Sequence, residues 1–433
     1  MLEARFLFSR HNERKDELMR SSKVVFLLIA LLVVSLGSVA SAAPIELRFL
    51  FPVNTAGPLA TAMEDIVEEF NQANPDIQVK AIFTGNYGAT NDRIRTTALA
   101  GNPPHVALTA MVESFALHEL DVIVDVKPYI EAEGQDFYSD FIDGFWRGVQ
   151  LEDKILGLPF QHSVPLAYYN KDALAEAGLD PENPPVTWAD TKAAAEKLLA
   201  HDPKRLAVIS PADTWILQGF VESNSGAFSK DLRTPTFTDP EVIEAFQFFY
   251  DMVHTWDLLA VRSYGEASED FLAGDAAIMY NSTGSMAFVR DNAYFDWSVG
   301  PLPKNTAHSF PYGGGGLFLF KGHPAEEEAA AWKFMKYLTS PTITARWSRA
   351  SGYFAVRKSA YELPEMKAYI EQFPQAGEAA SLLKYTNAEW TMYRRDEAIQ
   401  TAADTIEEIL VLGTKQPKDA MTELQDKLNA LYQ

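Results

Sequence analysis

The sequence predicts an α/β protein of two lobes, each built on an open sheet flanked by helices. Three observations carry this reading. The chain has 433 residues, too many for one compact core and enough for two of ordinary size. From Ile45 to Thr109, apolar runs of strand length alternate with runs of helical periodicity, the pattern of a parallel sheet covered by helices. The same alternation restarts after Gly157.

The first strand is expected at Ile45–Phe51. Met63, Ile66, Val67 and Phe70 then recur at the spacing of a half-buried helix over Thr61–Asn71. Asn74-Pro75-Asp76 stops that helix, and Ile77–Phe83 reads as the second strand. A helix over Thr90–Ala100 ends at Gly101-Asn102-Pro103-Pro104, and a third strand follows at His105–Thr109. In the second half, Pro159–Tyr169 is extended and Lys171–Ala177 helical. Thr187 is an N-cap for a helix to Leu199. A long helix spans Pro240–Trp256, with Val242, Ala245, Phe246, Phe249 and Val253 on one face. A strand at Ala276–Tyr280 leads through Asn281-Ser282-Thr283-Gly284 into a helix. Four glycines, Gly313–Gly316, precede a strand at Leu317–Phe320. Helices close the chain at Glu326–Leu338, Thr342–Ser348, Asp396–Val411 and Lys418–Leu431. No internal repeat or low-complexity linker interrupts it. The expected division is 43–158 with about 301–350 as one lobe, and 159–300 with about 351–433 as the other.

Composition narrows the function classes. Hydrophobic residues at 47% and charged residues at 22% are those of a globular chain. A net charge of −22 argues against a nucleic-acid partner, because gripping a phosphate backbone takes clustered Lys and Arg. With no Cys there is no disulfide, thiolate metal site, thiol nucleophile or lipid-attachment residue. The 8 Trp and 17 Tyr mostly fill core and surface grooves, and leave some for stacking on sugar-like faces.

An export signal is expected at the N-terminus, with Met19 as the true start. Met19-Arg20-Ser21-Ser22-Lys23 is basic, Val24–Val34 is apolar, and Ala40-Ser41-Ala42 is a small-residue cleavage site. The apolar run falls short of the roughly 20 residues a membrane span needs. Removing residues 1–42, with their six basic and four acidic side chains, leaves the mature chain at −24. Such a protein is expected in the periplasm.

Catalytic signatures are missing. The sequence has no G-x-S-x-G elbow, no H-E-x-x-H and no phosphate-loop motif. The 8 His, among them His105, His118, His162 and His254, show no metal-ligand spacing. No catalytic residue, metal or cofactor is expected. The glycine run Gly313–Gly316 reads as backbone that must come close to another lobe or a ligand.

Several segments resemble the family 1 extracellular solute-binding proteins, with particular likeness to the glycerol-3-phosphate-binding branch. They are Phe70-Asn71-Gln72-Ala73-Asn74-Pro75, Gly85-Asn86-Tyr87, Pro159–Pro165, Tyr168–Asp172, Gly178–Pro181, Thr187-Trp188, Phe271–Met279, Ser282–Ser285, Gly313-Gly314 and Gly352-Tyr353. The resemblance implies a type 2 periplasmic-binding-protein fold, with a ligand cleft between lobes joined by hinge crossovers. It implies a solute-binding component of an ABC importer that takes a carbohydrate, polyol or glycerol-phosphate-like solute. Its partners would be a membrane permease and a separate ATPase subunit, and the protein itself would be a monomer. The family's ligand contacts fall on Tyr87, Ser163, Ser282, Gly314 and Tyr353, with Trp215 nearest to a displaced tryptophan. Met111 stands where that branch has an acid, with Glu113 two residues on. Gln400 stands where it has a phosphate-binding Arg, with Arg394 and Arg395 shortly before. A neutral sugar or polyol therefore fits at least as well as a phosphate, held by rings and by uncharged groups such as Gln161, Gln218, Asn281 and Gln400. The alternative reading is a secreted hydrolase acting on a carbohydrate or phosphoester, which would need a base or carboxylate pair in the cleft. A chemosensory binding module would share the fold.

Overall fold

A computed structural model describes residues 43–53 and 58–432; the leader reading over residues 1–42 lies outside them. The principal strands, in chain order, are β1 (Ile45–Phe51), β2 (Ile77–Phe83), β3 (Val106–Ala110), β4 (Leu158–Ser163) and β5 (Pro165–Asn170). They continue with β6 (Leu206–Ser210), β7 (Leu259–Val261), β8 (Ala276–Ser282), β9 (Trp297–Pro301) and β10 (Gly313–Leu319). They form two five-stranded sheets, in the orders β2-β1-β3-β10-β4 and β9-β5-β8-β6-β7.

The first three strands follow the alternation of the sequence. β1 lies parallel to β2, with Ile45 beside Ile77 and Phe51 beside Phe83, and parallel to β3. The rest of this sheet departs from the parallel expectation. β10 runs antiparallel to both β3 and β4, and it begins at Gly313. The four glycines are thus part of the strand, four residues earlier than Leu317. Gly314 has φ +115°, and a Cβ there would overlap the Gln161 carbonyl oxygen on β4. Only glycine lets the two backbones meet at that point.

Pro159–Tyr169, expected as one extended stretch, is two strands in two sheets. β4 closes the edge of the first, and β5 lies between β8 and β9 in the second. The chain passes from one sheet to the other at Val164, fully buried and with its amide 3.3 Å from Thr283 Oγ1.

The helices cover these sheets as their periodicity dictates. Leu59–Ala73 buries Leu59, Met63, Ile66, Val67 and Phe70. Thr187 caps the helix Trp188–His201 through the Asp190 amide. The long helix from Pro240 ends its regular part at Tyr250 and widens into a π-turn over Asp251–Thr255. The helix from Arg395 does the same after Ile406. Two further helices, Pro364–Gln372 and Pro374–Ser381, bury little apolar surface, which is why their pattern was silent in the sequence. One apolar core joins Phe49, Phe70, Phe334 and Trp347; another joins Phe220, Phe246, Phe249, Tyr280 and Leu424.

Candidate functional site

All seven residues singled out in the sequence, Tyr87, Ser163, Trp215, Ser282, Gly314, Tyr353 and Gln400, line one cavity of about 360 Å³. That is the size range of small-molecule sites. Strand ends and helix starts supply five of them, the arrangement that suits a binding crevice in open α/β sheets; Tyr353 follows a helix end and Gln400 lies within a helix.

Tyr87 opens the helix Tyr87–Leu99, capped by Asn86, whose side chain accepts the Ala89 amide. A relay fixes its phenol. Trp347 Nε1 donates to Gln161 Oε1 at 3.0 Å, and Gln161 Nε2 donates to the Tyr87 oxygen at 2.7 Å. Burial raises the Tyr87 hydroxyl well above its ordinary range, so it stays protonated. Trp215 sits in the first turn of the helix Thr214–Ser223, capped by Asp213. Its Nε1 donates to the Tyr312 carbonyl at 3.2 Å, and its ring lies where a Cβ on Gly313 would be, 2.8 Å away. Tyr353 follows the left-handed Gly352 and packs its ring against Gly284, where a Cβ would lie 2.7 Å from it. Small residues therefore let the rings approach the backbone of the opposite elements. Ser163 ends β4, beside Gly313 on β10.

Ser282 ends β8. Its Oγ accepts the Gly284 amide at 3.0 Å, and its carbonyl accepts the Tyr168 hydroxyl at 2.6 Å. An N–H that sequence reasoning would offer to an anion is thus taken by the serine itself. Gln400 lines the cavity from the helix Arg395–Ile406, with its amide donating to Asp404 at 2.6 Å.

The uncharged hydrogen-bonders expected to hold the solute are otherwise engaged. Gln161 belongs to the Tyr87 relay. Gln218 bonds the Ala388 carbonyl and the Trp390 amide, and Asn281 bonds Ser268, the Ser282 amide and the Tyr264 carbonyl. Buried amides satisfy themselves locally before any ligand arrives.

Charge replaces them. Glu113, Asp213, Glu389, Arg95, Arg395 and Asp396 also line the cavity. Arg395 pairs with Glu113, both nearly buried, and its other nitrogen is 3.8 Å from Glu389. Arg95 pairs with Asp396 and lies 3.6 Å from Glu113. Arg394 enters the helix in the left-handed region, at φ +51°, held by both oxygens of Glu397. It faces solvent, and Arg395 faces the cavity. Met111, at the position of the family's acid, is buried in the core, and Glu113 is the acid that reaches the site. Burial raises the Glu389 carboxyl to about 7 against the pull of Arg395, with the Glu113 and Asp213 charges adding to the rise.

Among the described residues one cluster has metal-ligand proximity, His105, His323 and Glu327. Three of its four ring nitrogens are already hydrogen-bonded, and His323 Nδ1 lies 3.5 Å from Glu327. His105 Nδ1 accepts the Arg48 amide, which leaves the proton on Nε2 to donate to Glu327, and His323 Nε2 donates to the Pro104 carbonyl. A cation at His105 Nε2 would have to displace that proton.

A sequence model described as bacterial extracellular solute-binding protein matches residues 65–375. The chain belongs to this family. Among curated relatives, the sn-glycerol-3-phosphate-binding periplasmic protein UgpB of Salmonella typhimurium is 28% identical over 396 residues, covering 87% of this chain and 90% of the relative. UgpB of Escherichia coli K12 is 28% identical over 340 residues, covering 75% and 77%. The crystal structure of UgpB from Mycobacterium tuberculosis with glycerophosphocholine superposes with a TM-score of 0.81 at 27% identity, covering 90% of this chain and 98% of that one. Maltose-bound MalE3 of T. maritima shares the fold, with a TM-score of 0.79 at 20% identity over 89% and 99%. This solute-binding protein thus has the two-lobed α/β fold expected of it and serves as the solute-binding component of an ABC transporter. The hydrolase alternative finds no support in these relatives. Among the described residues no helix is long and apolar enough to cross a membrane.

Proposed function

We propose that this protein captures a small, hydroxyl-rich solute carrying no net negative charge, such as a neutral sugar, a polyol or a zwitterionic glycerophosphodiester. Two lobes, one built on each sheet, close over it, and the closed form delivers it to a membrane permease driven by a separate ATPase. The protein works as a periplasmic monomer after its leader is cut behind Ala42.

The charge of the lining carries this reading. Asp92, Glu113, Asp213, Glu389 and Asp396 face the cavity, against two cations, Arg95 and Arg395. Each cation is already paired with a carboxylate. A phosphate dianion would need relief from that surplus of negative charge and a share in a cation already paired through one nitrogen. Hydroxyls and a stacked ring face need neither: Trp215, Tyr353, Tyr87 and Tyr264 supply the rings. A cationic head group would also find both rings and carboxylates.

A thermal-shift screen at pH 8 tests it with sn-glycerol-3-phosphate, glycerophosphocholine, glycerol, glucose and maltose. A true ligand at a hundredfold its Kd stabilises by about 2.7 kcal/mol, a rise of several degrees. The expected hits are neutral or zwitterionic. A shift with sn-glycerol-3-phosphate that matches or exceeds every other would defeat the reading.

A further inference from the structure

The cavity's acids are not equivalent. Asp213 is spent on its own helix, accepting the Ile216 amide at 2.9 Å and the Tyr264 hydroxyl at 2.7 Å. Glu113 gives Oε1 to Arg395 and holds Oε2, buried without a hydrogen bond, 3.6 Å from Arg95; Asp396 pairs with Arg95, and Asp92 is exposed. Glu389 differs. Among the described residues its one cationic partner, Arg395, stands at 3.8 Å, beyond hydrogen-bond reach, so the acceptor sites of both oxygens are left for a guest.

Its position is nevertheless built. Gln218 clamps the backbone on both sides: its Nε2 donates to the Ala388 carbonyl at 2.9 Å, and its Oε1 accepts the Trp390 amide at 2.8 Å. The next ring, Trp390, is buried edge-on against Phe228 and Phe237. With both neighbours anchored, the side chain between them is held toward the cavity. The charged and titratable groups facing it are Arg395, Glu113, Asp213 and the phenols of Tyr87, Tyr264 and Tyr312.

We propose that Glu389 is the specificity-determining residue of this cleft, whose negative charge rejects phosphate monoesters while its oxygens accept solute hydroxyls. The assignment rests on the reading that the solute carries no net negative charge. A fixed carboxylate in a partly dried cavity repels a phosphate dianion far more than a solvated one would. Ordinary hydroxyls donate to it without penalty. Because burial raises this carboxyl, the rejection weakens as acid neutralises it.

The test is calorimetric titration of sn-glycerol-3-phosphate into the wild-type protein, Glu389→Gln and Glu389→Met, at pH 8 and pH 5.5. Both variants are neutral at 389; the first keeps the shape, and the second guards against a new amide contact. The expected result is that affinity at pH 8 rises at least tenfold in both, and that the gap to wild type closes at pH 5.5. The phosphate's own protonation near pH 6 affects all three proteins alike, so the ratio isolates residue 389. Affinities that are equal at pH 8, or undetectable in all three, overturn the assignment, and so does a gap that persists at pH 5.5. Tight wild-type binding at pH 8 instead defeats the underlying reading of the solute. The two failures are therefore distinguishable.

Discussion

Arg395→Met is expected to destabilise the protein by about 3–5 kcal/mol, because it strands a buried carboxylate. Glu113 is 5% exposed, and its principal partner is the Arg395 guanidinium. Arg95, at 3.6 Å, is already paired with Asp396 and compensates only in part. Methionine fills the volume of the arginine stem, so the loss reports charge rather than a cavity. Removing both partners tells the two apart. Arg395→Met with Glu113→Gln is expected to recover most of the stability, since a neutral amide needs no counter-charge. Denaturant unfolding of the four proteins of this cycle gives the coupling. A double variant no more stable than the single one would show that the pair is not what Arg395 contributes.

Gly314→Ala is expected to cost about 3–5 kcal/mol and to abolish solute binding, from two sources acting together. The backbone at φ +115° disfavours any side chain, and the added methyl would run into the Gln161 carbonyl oxygen. That oxygen is main chain, on the neighbouring strand, so relief requires β4 and β10 to part. Gln161 also carries the relay that fixes Tyr87, and a shifted β4 would misplace the phenol. Gly85→Ala is the control. It shares a positive φ of +89° but has nothing within 4 Å of the new methyl, so only the conformational part, about 1–2 kcal/mol, is expected. Equal losses at the two positions, measured by thermal and denaturant unfolding, would remove the close approach of the strands from the account.

The sequence was most legible where one rule acts alone. β1 and β2 have their expected bounds because apolar runs between turn residues admit one reading. Thr187 was legible as a cap from its place before an amphipathic run. The glycine run announced a close approach, but not that the approach lies inside a strand, because pairing partners distant in sequence decide that. The cavity residues were legible through motifs: five of the seven sit at a strand end or helix start, while Tyr353 follows a helix end and Gln400 lies within the helix from Arg395. Glu389 was not. Its aim is set by Gln218 on a helix far back in the chain and by Trp390 in the second core, and neither leaves a local pattern. The same nonlocality misled the expectation of uncharged contacts. Whether a glutamine is free for a ligand depends on what it already bonds, and Gln161 and Gln218 were both taken. Arg395 and Glu113 came into view only as neighbours of departed family positions, and their pairing across the cavity needed the fold.

The most direct measurement is a crystal structure of the protein with a bound solute taken from the thermal-shift screen. The solute is expected in the cavity between the two sheets, with a ring of Tyr87, Trp215 or Tyr353 against its apolar face and Glu389 on its hydroxyls. Arg395 should remain paired with Glu113. A solute bound outside this cavity would contradict the account, and so would a phosphate monoester seated on an Arg395 that has released its carboxylate.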